Sequence, residues 1–395
     1  MKKLYTILAF YFIVYNSNAQ DSIPLKVNTI ITNYFSCKKT TGMIIGVVNK
    51  GKTYIFSYGE TVKKSGVKPD STTLFEIGEI TYLFTSSLLV NASMYDSVKI
   101  DESAQKHIAG RANIPVYQKV ICKPVNKSDK ENNLFNPIGY TPLMCYPDPE
   151  YHPEKILLCD LATHTSGLPL NPSNINRSNK EGGPYKDYSQ QKFYDYLNNY
   201  VLLQEEENEF KFSNIGIVIL ADALVINSGM PYDKLLSKKI LKPLNMNNTT
   251  TELNAAQQKL LAQGTNSKRR FVEPWEYNAF APAMGLKSNM SDMLVFLKAN
   301  MGLIKSPLKD VFDYTHNSKV LIQSGKLKGS QEGMSWLISP DGNTGKTIVW
   351  QSGLTGGYSS FIGFSETNHI GIVILSNTAN PLDVVGAEIV KELNR

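Results

Sequence analysis

The sequence predicts an α+β fold: an antiparallel sheet built from N- and C-terminal segments with flanking helices, plus an inserted, mostly helical lobe. Three observations predict it. Residues 43–48 and 53–56 are apolar strand-like runs that flank Asn49-Lys50-Gly51-Lys52, a hairpin signature. The final quarter returns to such runs at Ser335–Ile338, Thr347–Gln351, Tyr358–Phe364 and His369–Leu375. Between these ends, apolar residues recur at helical spacing in Thr81–Met94, Gln191–Val201, Ile215–Asn227, Tyr232–Leu241 and Ser291–Met301. Strands at both ends of one chain pair within a common sheet, and the helical middle forms a second lobe. The cleft between two lobes is the usual place for a ligand.

Taken in order, Lys2 and Lys3 precede an apolar run from Leu4 to Tyr15 and then Ser17-Asn18-Ala19. A charged start, a short apolar centre and a small residue at the cut describe a secretory signal peptide, residues 1–19. The remaining chain, 20–395, reads as a single domain, with 20–78 and 330–395 forming the sheet lobe and 79–329 the helical lobe. After signal removal no stretch is long and apolar enough to span a bilayer. The chain is therefore expected to be exported, to the periplasm or outside the cell. Val27, Ile30, Ile31 and Phe35 mark a first helix, and Leu382–Leu393 a closing one. Residues 110–155 are rich in Pro and hold Asn132-Asn133, so they read as a long irregular insertion. The chain has four cysteines, Cys37, Cys122, Cys145 and Cys159. They permit three full pairings that sequence cannot choose between, with Cys122–Cys145 one candidate to pin the insertion.

Composition excludes several functions. The 395 residues are 42% hydrophobic and 10% aromatic, enough for a real core and against a disordered chain. Net charge is only +6 and the basic residues are scattered, so no nucleic-acid partner is expected. The five histidines lack metal-ligand spacing, so neither a metal nor another cofactor is expected.

The motifs lie where the two lobes meet. Thr73-Leu74-Phe75-Glu76-Ile77-Gly78-Glu79-Ile80-Thr81-Tyr82 leads into the first apolar helix. Further along come Leu161-Ala162-Thr163-His164-Thr165-Ser166-Gly167-Leu168, Phe212-Ser213-Asn214-Ile215-Gly216 and Pro243-Leu244-Asn245-Met246. Trp350-Gln351-Ser352-Gly353-Leu354-Thr355-Gly356-Gly357 closes the series. In this order the phrases resemble the serine β-lactamase, penicillin-binding protein and family VIII esterase superfamily, over most of the chain. The resemblance implies a β-lactamase/transpeptidase-like fold and a cleft in which a Ser-x-x-Lys helix, a Tyr-x-Asn element and a His-x-Gly or Lys-Thr-Gly strand perform acyl transfer.

Here the nucleophile position is Glu79, the Lys position Tyr82, the Tyr position Phe212 and the His/Lys position Gln351. No catalytic residue of the usual kind is therefore assigned. The resemblance implies a binding cleft formed by Glu79, Tyr82, Asn214, Gln351, Gly353 and Leu354. Tyr82, three residues beyond Glu79, is placed to hydrogen-bond it, and Glu79 to cap the helix N-terminus. The leading expectation is a catalytically inactive serine hydrolase homologue that binds a cell-wall-like peptide or a partner protein as a scaffold. One alternative is an active hydrolase with Glu79 as base, aided by Tyr82, Asn214 and Gln351, or with a relocated serine such as Ser86, Ser87 or Ser166. A structural surface interaction protein using the insertion is the other.

Overall fold

The computed structural model describes residues 23–124, 143–150, 155–176, 181–203, 209–317, 319–340, 345–365 and 367–394. The expected signal peptide lies outside them. In chain order, helix α1 (Ile23–Cys37) precedes the hairpin β1 (Gly42–Asn49) and β2 (Lys52–Gly59), and β3 (Leu74–Glu76) leads to α2 (Thr81–Tyr95). Strands β4 (Val120–Pro124) and β5 (Leu143–Pro147) come next, then helices α3 (Gln190–Asn199) and α4 (Asn214–Ser228). Strand β6 (Lys287–Asn289) runs into α5 (Met290–Asn300). The short strands β7 (Val320–Leu321) and β8 (Gln331–Glu332) follow, then β9 (Leu337–Pro340) and β10 (Thr347–Leu354). The chain closes with β11 (Ser359–Ser365), β12 (Ile370–Ser376) and α6 (Asp383–Asn394).

Both chain ends meet in one eight-stranded antiparallel sheet, in the order β2-β1-β12-β11-β10-β9-β8-β7. The two ends are joined by the pairing of β1 with β12, from Met43 opposite Ser376 to Asn49 opposite Ile370. The first hairpin turns at Lys50 and Gly51, both at positive φ (48° and 85°), as a tight two-residue connection demands. Successive residues of a strand point to opposite faces, and here both faces are covered. Ile44 and Val48 join the larger core under the helical lobe, while Met43, Ile45 and Val47 join a second core under α1 and α6. Burial on both faces explains why β1 and β12 read as continuous rather than alternating apolar runs.

Helix α2 is buried from Thr81 through Ala92, and α4 from Asn214 through Leu220, so neither shows an amphipathic stripe. Ser213 caps α4 by accepting from Gly216 N, and Gly229 ends it at φ 66°. The helix expected over Tyr232–Leu241 stops at Leu236, widens through Ser237–Leu241 and tightens at Lys242–Leu244, with Asn245 at φ 56°. Pro243 denies the backbone an N–H for a regular continuation. Within the described part of the 110–155 insertion the chain is less irregular than expected. Strands β4 and β5 pair antiparallel with Cys122 opposite Cys145, joined by a disulfide.

Buried histidines give the fold a pH dependence. Burial pushes His164 and His316 down to about 3, so both fold neutral. The unfolded chain binds protons near pH 6.5 that the folded chain refuses. Stability is then expected to fall as pH drops from 6.5 towards 3, by about 1.4 kcal/mol per pH unit for each histidine. Urea unfolding across that range checks this. The His164→Gln variant should show the shallower slope.

Candidate active site

The site forms where the turn ahead of α2 presses against the end of β10. Gly78 lies at φ 53°, and a Cβ there would meet Leu354 N at 2.9 Å. A Cβ on Gly353 would sit 2.1 Å from the Ile77 carbonyl oxygen. Glycine is required at both points because two backbones approach without room for a side chain. Ser360 on β11 holds the same turn by donating its hydroxyl to Ile77 O at 2.7 Å. Gly353→Ala should therefore lose about 2–3 kcal/mol of stability in denaturant unfolding.

This close approach places the Glu79 carboxylate against the β10 backbone. Its Oε2 accepts from Leu354 N at 2.7 Å. Glu79 belongs to a 3-10 turn, Gly78–Ile80, and neither it nor Ile80 makes a side-chain cap to α2. The expected helix cap is thus replaced by a contact to a strand 275 residues away. Burial pushes the Glu79 carboxyl up to about 7, opposed by the Leu354 N–H and by the main-chain N–H of Glu79 itself. A small change in this environment shifts its charge around neutral pH.

Tyr82 departs from expectation as well. Its hydroxyl donates to Asn214 Oδ1 at 2.5 Å rather than to Glu79. Asn214 Nδ2 in turn donates to Asn171 Oδ1 at 2.8 Å, so the first residue of α4 bridges two segments of the helical lobe. Burial and the nearby Glu79 charge raise the Tyr82 hydroxyl well above its ordinary value, so it stays a neutral donor. Tyr82→Phe leaves Asn214 Oδ1 buried without this donor, and should cost about 1–3 kcal/mol in thermal or urea unfolding.

Gln351 is 2% exposed and its amide is spoken for. Nε2 donates to Ser335 O and Oε1 accepts from Ser352 N, each at 2.9 Å. Phe212 packs edge-on to His164 with ring centroids 5.2 Å apart, and Tyr82 covers another side of that ring at 4.9 Å.

Glu79, Tyr82, Phe212, Gln351, Gly353 and Leu354 all line one cavity of about 280 Å³, and Asn214 reaches it through Tyr82. Sequence reasoning missed Leu170, Ser352, Pro381, Leu382 and Asp383, which line the same cavity. They come from separated segments and carry no spacing signal. The serines considered as relocated nucleophiles are absent from the lining. Ser86 pairs with the Ser335 hydroxyl at 2.7 Å and Ser87 donates to Leu83 O. Ser166 is buried in its turn. Among the described residues no group of three or more His, Cys, Asp or Glu is arranged to hold a metal ion.

Known proteins resemble this chain over nearly its whole length. A beta-lactamase family model matches residues 27–394. A beta-lactamase of Pseudomonas fluorescens is 22% identical, over 86% of this chain and 89% of that protein. The D-alanyl-D-alanine-carboxypeptidase/endopeptidase AmpH of Escherichia coli K12 is 24% identical, over 87% of this chain and 80% of its own. Among solved structures, a class C beta-lactamase from Rhodobacter sphaeroides superposes with a TM-score of 0.72 at 18% identity, covering 92% of this chain and 98% of that one. The D-alanine carboxypeptidase AmpC from Burkholderia cenocepacia gives 0.71 at 21% identity, over 95% and 99%. These relatives are named as enzymes. They overturn the expectation of a catalytically inactive scaffold and point to a hydrolase.

Proposed function

Because the chain belongs to the beta-lactamase family, matched over residues 27–394, and has its α+β fold, we propose that it is a hydrolase cleaving an acyl bond with Glu79 as general base. The observation that carries this reading is a half-buried carboxyl, held near neutrality at about 7, at the wall of the cavity. A base with that value is both ionised and able to accept a proton at neutral pH. In the proposed step a water oxygen bonds to the substrate carbonyl carbon while its proton passes to Glu79. Neutralising Glu79 weakens its hold on the Leu354 N–H, because hydrogen bonds to charged acceptors are the stronger ones. That N–H then turns to the developing oxyanion. The intermediate collapses, the bond to the leaving group breaks, and Glu79 returns its proton to the leaving oxygen or nitrogen. Tyr82, fixed by Asn214, acts as a positioning residue that holds the cavity wall beside Glu79.

Export completes the reading. The Lys2-Lys3 start with its apolar run supports it, and so does the Cys122–Cys145 disulfide, a bond that persists in oxidising compartments. The test of the hydrolase reading is turnover of short-chain phenyl esters in oxygen-18 water. The reading expects the label in the released acid and no acylated protein by mass spectrometry during turnover. An acyl adduct on a serine would replace Glu79 as the centre of the chemistry.

A further inference from the structure

The cavity beside Glu79 has an unusual charge balance for this molecule. The chain carries a net charge of +6, yet no Lys, Arg or His is among the described residues lining the cavity. The ionisable groups among its described lining residues are two carboxyls, Glu79 and Asp383, and the phenol of Tyr82. Much of the remaining wall is apolar, from Leu170, Phe212, Leu354 and Leu382. Leu170 and Leu354 keep 46% and 40% of their surface exposed, so apolar area is open to a ligand there.

The polar groups of the wall are largely committed to the protein. The Tyr82 hydroxyl donates to Asn214, the Gln351 amide to Ser335 O, and the Leu354 N–H to Glu79. A substrate carboxylate entering this space would lose its water, meet two acidic groups and find no cation among the described lining residues to balance it. Burying an uncompensated charge is strongly unfavourable. An uncharged acyl group loses little on entry and gains from the apolar wall. A quaternary ammonium gains further, from the Asp383 carboxylate in the lining.

From this juxtaposition we infer that the site selects acyl substrates whose acyl portion is small and uncharged or cationic, and rejects those carrying a carboxylate. The inference concerns the same cavity as the hydrolase reading and rests on that reading for turnover. A volume of about 280 Å³ lies at the small end of ligand cavities, which sets the short acyl length. Asp383 is the specificity-determining residue, because like charge across a site suppresses the wrong ligand.

Three esters with one leaving group test it: phenyl butyrate, monophenyl succinate and the phenyl ester of 4-(trimethylammonio)butyrate. The neutral and cationic esters are expected to be hydrolysed with kcat/KM at least about tenfold above the succinate. Asp383→Asn should narrow the cationic-to-anionic ratio by roughly three- to tenfold. Succinate turned over as fast as butyrate overturns the inference and leaves the hydrolase reading standing. If no ester is cleaved, that reading fails, and binding of the corresponding anilides by calorimetry decides the inference alone. Saturable binding of the neutral and cationic anilides with exclusion of the anionic one upholds it. Equal binding, or none, overturns it.

Discussion

Glu79→Gln is expected to lower kcat/KM for a neutral ester by about a thousandfold while leaving the fold intact. General base catalysis contributes roughly 10² to 10⁴ in rate, and Glu79 is the lining carboxyl that burial raises to about 7, while Tyr82 titrates far too high. The amide oxygen of Gln can still accept from Leu354 N, so the contact that seats the turn survives. The sign of the stability change separates this from structural damage. Glu79 titrates at about 7 in the folded protein against about 4.5 unfolded, so wild-type stability falls as pH rises between those values. Gln removes that slope. At pH 8 the variant should be more stable than wild type and far less active, a trade-off typical of functional carboxyls. Loss of activity together with a lowered melting temperature would instead indicate a structural role.

Glu332→Met is expected to stabilise the protein at pH 8. Glu332, in β8, is fully buried, and neither carboxyl oxygen has a hydrogen-bond partner among the described residues. Burial raises its carboxyl well above the ordinary value. The folded protein therefore holds a proton that the unfolded chain releases. Stability falls by about 1.4 kcal/mol for each pH unit above the unfolded value near 4.5, until the folded value is reached. Methionine has similar reach and no charge to bury, so the gain at pH 8 is about 2–4 kcal/mol. Guanidinium unfolding at pH 5 and pH 8 checks this, with the larger gain at pH 8. Equal gains at both pH values would mean that Glu332 is ionised and compensated in the fold.

Much of the architecture was legible because its signals are local. Asn49-Lys50-Gly51-Lys52 announces a hairpin, and the buried runs of β11 and β12 and the spacing in α2 and α4 announce their elements. The cleft was legible through Glu79, Phe212 and Gln351, which come together as the order of phrases implied. What was hidden depends on distant partners. Spacing alone put Tyr82 beside Glu79, but the 3-10 turn at Gly78–Ile80 breaks the helical register and Asn214 captures the hydroxyl. The bond from Leu354 N to Glu79 follows from two backbones meeting at Gly78 and Gly353, which nothing near Glu79 in sequence records. Asp383 starts a surface helix and looks like an ordinary first-turn acid until the fold brings it to the cavity. The catalytic expectation failed for another reason. Substitution at four family positions implies loss of chemistry, but the relatives are named as enzymes, and the proposed function assigns the base to a carboxyl raised to about 7.

The central claim is that ionised Glu79 drives the reaction, and the pH profile of kcat/KM for phenyl butyrate tests it most directly. The account predicts activity that rises tenfold per pH unit below pH 7, bends near 7 and reaches a plateau above it, with the bend absent from the residual activity of Glu79→Gln. A profile that is flat between pH 5 and 9, or one that Glu79→Gln reproduces in full, would contradict it.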